Sequence, residues 1–135
     1  MTTNAQRVAN FHKAAGVTMP ERPTLPPPNL AAFRQKLIDE EYAEVTAVFQ
    51  RIINSNGTGP DQVELLADLA HELSDLLYVA YGALLACGLD ADAVFAEVHR
   101  ANMQKVDGPR RADGKVLKPA DWQPADVASI IMRKT

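Results

Sequence analysis

Cysteine is nearly absent. The one thiol, Cys87, cannot form an internal disulfide, which fits a reducing compartment. It stands before Gly88 at the end of a helical pattern and reads as a small buried hydrophobe rather than a nucleophile. Long apolar runs are missing too: none approaches the ~20 residues of a membrane span, and no signal peptide precedes the first amphipathic segment. A cytoplasmic protein without a membrane partner is expected. An excess of positive charge is also lacking. The net charge of −3 argues against a general nucleic-acid binder. The Asn54–Pro60 stretch carries glycines but no P-loop lysine, so it reads as a connector rather than a phosphate cradle. No internal repeat is visible.

What is present is ordinary in bulk and specific in pattern. With 47% apolar and 23% charged residues over 135 positions, the chain reads as one globular domain, 1–135. Residues 4–15 form an amphipathic pattern with Val8 and Phe11 on its apolar side and Gly16 as its stop. His12 lies there and reads as structural or exposed. Pro20, Pro23, Pro26, Pro27 and Pro28 then impose an extended strap, expected to lie across the domain's own surface, so that 1–29 is an N-terminal helix plus strap. Asn29 is the expected N-cap of a helix from about Leu30 to about Ile53. Asp61 is the expected cap of a third helix ending near Ala86, and Asp90 of a fourth from Ala91 to Lys105. Residues 106–135 read as a basic loop closed by a short helix over Asp126–Met132. Four to five helices and no strand make the expected fold an all-α bundle.

Two acid clusters organise this pattern: Glu40, Glu41 and Glu44, then Glu72 and Asp75. Residues three apart share a helix face. Leu30, Phe33, Leu37, Val48 and Ile52 lie on the side of Glu41 and Glu44; Leu65, Leu69, Leu76, Val79 and Ala83 flank Glu72 and Asp75. The acids therefore fall inside apolar stripes. Gathering carboxylates away from water is costly unless a cation neutralises them, and clustered carboxylate oxygens suit Mg²⁺ or Mn²⁺. Glu41, Glu44, Glu72 and Asp75 are the expected metal ligands, on two antiparallel helices. The competing reading is two amphipathic helices with solvated acids.

The end of the chain has the opposite charge. Arg100, Lys105, Arg110, Arg111, Lys115 and Lys118 face only Asp107 and Asp113, a combination suited to a small polyanion such as a nucleoside triphosphate, or simply to a solvated loop. Asn102 and Lys105 extend the apolar face of the fourth helix, where a site can begin. Gly82 implies close packing or ligand approach; Tyr78 and Tyr81 read either as core or as pocket lining.

The acid spacing resembles the all-α NTP pyrophosphatases, the MazG-like superfamily, whose pattern is Glu-Glu-x-x-Glu followed by Glu-x-x-Asp; Asn102 and Lys105 resemble that family's downstream Asn-x-x-Lys. Residues 70–82, AHELSDLLYVAYG, and 90–126, DADAVFAEVHRANMQKVDGPRRADGKVLKPADWQPAD, are similar to compact bacterial MazG-like dUTP diphosphatases. The resemblance implies hydrolysis between the α- and β-phosphates, with dUTP the expected substrate, two or three Mg²⁺ ions per site, and a homodimer or higher oligomer. Glu40 and Glu41 are then the catalytic acids, Glu40 as acceptor of the attacking water's proton. Lys105, Arg110 and Arg111 would hold phosphates and Asn102 the sugar or base. Tyr81 and Phe11 are candidates for contacts to the sugar and base. The alternatives are a broad-specificity (d)NTP pyrophosphatase, phosphoribosyl-ATP hydrolysis, and a metal-stabilised helical interaction module without turnover.

Overall fold

The computed structural model describes residues 1–55 and 62–134. In chain order it contains α1 (Asn4–Ala14), α2 (Pro28–Ile53), α3 (Gln62–Ala86), α4 (Ala91–Met103) and α5 (Val127–Met132). Among the described residues the only β-type pairing is an isolated bridge between Arg110 and Val116. The all-α expectation therefore holds, and the helix boundaries carry the differences.

The start of α1 is set by a capping box. The Thr3 hydroxyl accepts from the Gln6 amide, and the Gln6 side chain accepts from the Thr3 amide. Ala5, Val8 and His12 share the inward face and are buried. Gly16, at φ 71°, ends the helix in the left-handed region.

Asn29 is not the cap of α2. The helix begins at Pro28, with Pro27 in the N-cap position and no side-chain cap. The proline ring already holds the helical φ, and its missing N–H falls where a first-turn amide has no partner. Asp61, the expected cap of α3, lies outside the described residues, as do residues 56–60 of the expected connector. In α4 Asp90 does cap, accepting from the Ala93 amide at 3.1 Å. That helix stops at Met103 rather than Lys105, and the chain turns through Lys105–Gly108.

The Pro-rich strap lies on the α3–α4 turn. The Thr24 amide donates to the Cys87 carbonyl at 2.8 Å. Gly88, at φ 67°, lets the strap approach so closely that a Cβ there would collide with the Arg22 carbonyl.

The dominant packing is the α2–α3 hairpin, with α1 laid against α3 and α5 against α4. Cross-contacts show that α2 and α3 run antiparallel: Arg51 pairs with Asp68 at 2.8 Å, Glu41 meets Glu72 and Asp75, and Arg34 reaches Gly82. Among the described residues the buried apolar side chains are small: Ala5, Val8, Val45, Val48, Ala86, Ala91 and Ala101. Larger apolar groups remain outside. Tyr42, Phe49 and Ile53 line the outer side of α2, and Leu66, Leu73 and Leu77 that of α3.

The C-terminal end is held by polar locks. Glu97 forms a paired contact with Arg100 and accepts from the Asp126 amide at 2.8 Å, which holds its carboxyl down at about 2, with the Arg100 hydrogen bond as the main cause. Lys134 pairs with Asp90 at 2.8 Å.

Candidate active site

The α2–α3 hairpin brings the acid clusters together. Glu41 is half-buried on α2, and Glu72 and Asp75 are half-buried one turn apart on α3. One oxygen from each lies within 4.8 Å of the others. Glu44 is more exposed, yet its carboxylate is close enough to act on both Glu41 and Glu72 and raise them.

Electrostatics mark the cluster as strained in the absence of a cation. The Glu41 carboxyl is pushed above its usual range, first by burial, then by the charges of Glu44, Asp75 and Glu72. Glu72 is pushed up as well, mainly by the neighbouring Glu44 carboxyl and by burial; His71 partly opposes this. Glu41 Oε2 and Glu72 Oε2 are buried with no hydrogen-bond partner. Orphaned buried carboxylate oxygens need a cation or a proton. Oxygens sharing one Mg²⁺ at ~2.1 Å are at most ~4.2 Å apart. Small side-chain rotations would bring these three onto a common ion, so the donor set fits a hard divalent cation.

The other residues singled out from sequence lie elsewhere. Glu40 is not one of the three: its side chain is exposed and sits 3.9 Å from Lys36. Tyr81 lines a cavity of about 190 Å³ between α1 and α3, with Asn4, Arg7, Val8, Ser74, Leu77 and Tyr78. Phe11 meets Tyr78 edge-on, at 5.8 Å between ring centroids.

Asn102 and Lys105 form a local pair, the Lys105 ammonium donating to Asn102 Oδ1 at 2.8 Å. That ammonium also lies 5.0 Å from the Trp122 ring, and Lys118 lies 4.6 Å from the same ring. Trp122 is anchored by its indole N–H, which donates to the Ala101 carbonyl at 2.7 Å. Arg110 donates to the Val106 carbonyl, and Arg111 is paired with Asp113 inside the loop. Among the described contacts none joins this basic module to the acids.

Several groups were not singled out from the sequence as parts of a site. His71 Nε2 lies 3.0 Å from Asp75 Oδ2, four residues away on the same helix face. Trp122 completes the Lys105–Lys118 module. Arg34 and His12 pack over Gly82, where a Cβ would lie 3.1 Å from Arg34 Nη1 and 3.2 Å from His12 Nε2; the expected close approach at Gly82 is thus side-chain packing. The i, i+4 spacing of His71 and Asp75 was the available signal for the first. The others depend on how loops and helices come together.

No curated protein sequence matches the chain. Residues 8–102 match the sequence model of the phosphoribosyl-ATP pyrophosphohydrolases. That span includes α2, α3 and all five acids, and stops at Asn102 before the rest of the basic module. The family is metal-dependent, and its activity is pyrophosphohydrolysis of nucleotide-like substrates. With a helical hairpin that gathers the acids and a match over most of its length, this chain belongs to the phosphoribosyl-ATP pyrophosphohydrolase family, within the all-α MazG-like NTP pyrophosphatase superfamily.

Proposed function

We propose that the chain is a single-domain nucleoside triphosphate pyrophosphohydrolase that converts dUTP and water to dUMP and diphosphate. The observation that carries the hydrolytic part is the group of Glu41, Glu72 and Asp75 oxygens, two of the three residues having a buried, unpartnered oxygen. The dUTP assignment is supported by residues 70–82 and by 90–126, much of the latter beyond the family match.

Glu41, Glu44, Glu72 and Asp75 would hold two or three Mg²⁺ or Mn²⁺ ions. Bound there, such ions supply charge neutralisation for the phosphate oxygens and lower the pKa of water. Glu40 accepts the proton of the attacking water; its 3.9 Å contact with Lys36 is loose enough to release its oxygens. Lys105, Arg110 and Arg111 hold phosphates, Asn102 hydrogen-bonds the sugar or base, and Tyr81 lines the nucleoside side.

The reading includes a homodimer or higher oligomer. The open apolar sides of α2 and α3 suit burial against a second copy. It also has the basic module of one subunit reaching the acids of another, since no described contact brings them together within one chain.

Phosphoribosyl-ATP is the second reading, favoured by the family match over residues 8–102. Diphosphate release from dUTP, UTP, dTTP, dCTP, dATP and phosphoribosyl-ATP, each with Mg²⁺, tests both. Preference for dUTP supports the first and preference for phosphoribosyl-ATP the second. Comparable rates across the panel point to a broad-specificity enzyme. No turnover by folded, metal-loaded protein overturns all three.

A further inference from the structure

We propose that His71 is a positioning residue for the acid cluster: its imidazole holds Asp75 by one carboxylate oxygen, turning the other toward Glu41 and Glu72. This rests on the metal-site reading above.

The geometry is local and specific. His71 Nε2 is 3.0 Å from Asp75 Oδ2. An ionised carboxylate accepts only, so the hydrogen of this contact must be on Nε2. Both residues are on α3, one turn apart, so the contact needs no long-range packing to form. The imidazole thus touches one of the two acids that α3 contributes.

A role in folding does not account for the pair. The His71 side chain is 71% exposed, and an exposed i, i+4 contact adds little to stability. What the contact does fix is the rotation of Asp75. Without a second partner, a short carboxylate at the edge of an anionic cluster would swing outward to solvent, away from Glu41, Glu44 and Glu72. Holding Oδ2 fixes the plane of the carboxylate and favours single-oxygen binding by Asp75. Residues that orient metal ligands in this way typically change metal affinity by ~10- to 100-fold when removed.

The test uses the full-length chain and Mn²⁺ as probe. Calorimetric titration is compared for wild type, His71→Ala and His71→Gln, the last retaining an N–H donor. Melting of each is recorded without metal, and Mn²⁺ paramagnetic resonance reads whether nitrogen is bound. The expected result has three parts. His71→Ala binds Mn²⁺ ~10- to 100-fold more weakly, with its metal-free melting unchanged; His71→Gln recovers part of the loss; and wild type shows no nitrogen coupling. Equal Mn²⁺ binding by wild type and His71→Ala overturns the proposal while leaving the acid site intact. Nitrogen coupling in wild type that vanishes in His71→Ala overturns it in another way, making His71 a direct ligand. A wild type that binds neither Mn²⁺ nor Mg²⁺ sinks both the proposal and the metal-site reading.

Discussion

Replacing Glu41 with glutamine should make the metal-free protein more stable and the metal-loaded protein less so. Glu41 sits among Glu44, Glu72 and Asp75, and its carboxyl is pushed above the usual value by burial and by those charges. A carboxyl whose pKa is raised on folding favours the folded state when protonated, and that contribution is lost as pH rises from about 4.5 through the raised value. At neutral pH without metal, wild type therefore bears repulsion that Glu41→Gln relieves. The melting advantage of the variant should grow as pH rises above about 4.5. With metal the order reverses. An ion bound only by the folded state, at 100 times its dissociation constant, stabilises by ~2.7 kcal/mol, about 10 °C for a chain this long. Glu41→Gln removes an anionic ligand and should lose most of that shift, together with diphosphate release. Scanning calorimetry with chelator and with a Mn²⁺ series reads both signs. A variant that melts several degrees below wild type in chelator, yet keeps the full Mn²⁺ shift, would refute the clustering of Glu41 with the α3 acids.

Other outcomes follow from the same packing. His12 is buried, and desolvation with the Arg34 charge lowers its pKa below 6.5, so stability should be complete above about pH 6.5 and decline as pH falls below it; melting from pH 7.5 to 5 in His12→Gln should show a shallower decline. Gly82→Ala gains helix propensity, but its methyl crowds Arg34 and His12, and the net loss should be about 1–2 kcal/mol in denaturant unfolding. Gly88→Ala forces a side chain into left-handed backbone under the strap and should cost at least ~1–2 kcal/mol, with faster proteolysis of residues 17–27. Trp122→Leu should release Lys105 and Lys118 from their shared ring and raise KM for a nucleoside triphosphate more than it lowers kcat.

The helices and the pairing of the two acid clusters were legible because both depend on period. Glu41 and Glu44 repeat with Val45 and Val48, and Glu72 and Asp75 with Leu69 and Leu76, so a shared seam between α2 and α3 could be read in advance. The start of α2 was misplaced because Asn29 has the chemistry of a cap, whereas Pro28 has the backbone geometry of a first turn. The end of α4 was placed too far along because Lys105 continues the periodic face after the backbone has turned. Glu40 was read at the edge of the stripe because helix rotation of 100° per residue sets it beside Glu41 rather than in line with it; it lies near Lys36. The Trp122 module escaped notice because a loop contact to the Ala101 carbonyl has no periodicity to reveal it.

The strap also bears on the order of folding. The α2–α3 seam joins segments close in sequence and can form early, at small loop-closure entropy. The Thr24–Cys87 hydrogen bond and the seat at Gly88 require the completed α3–α4 turn before the strap has anything to bind. Docking of α1 should then be the later event and the first reversed. Native-state hydrogen exchange would show residues 4–14 opening as a unit while the amides around Glu41 and Glu72 stay protected.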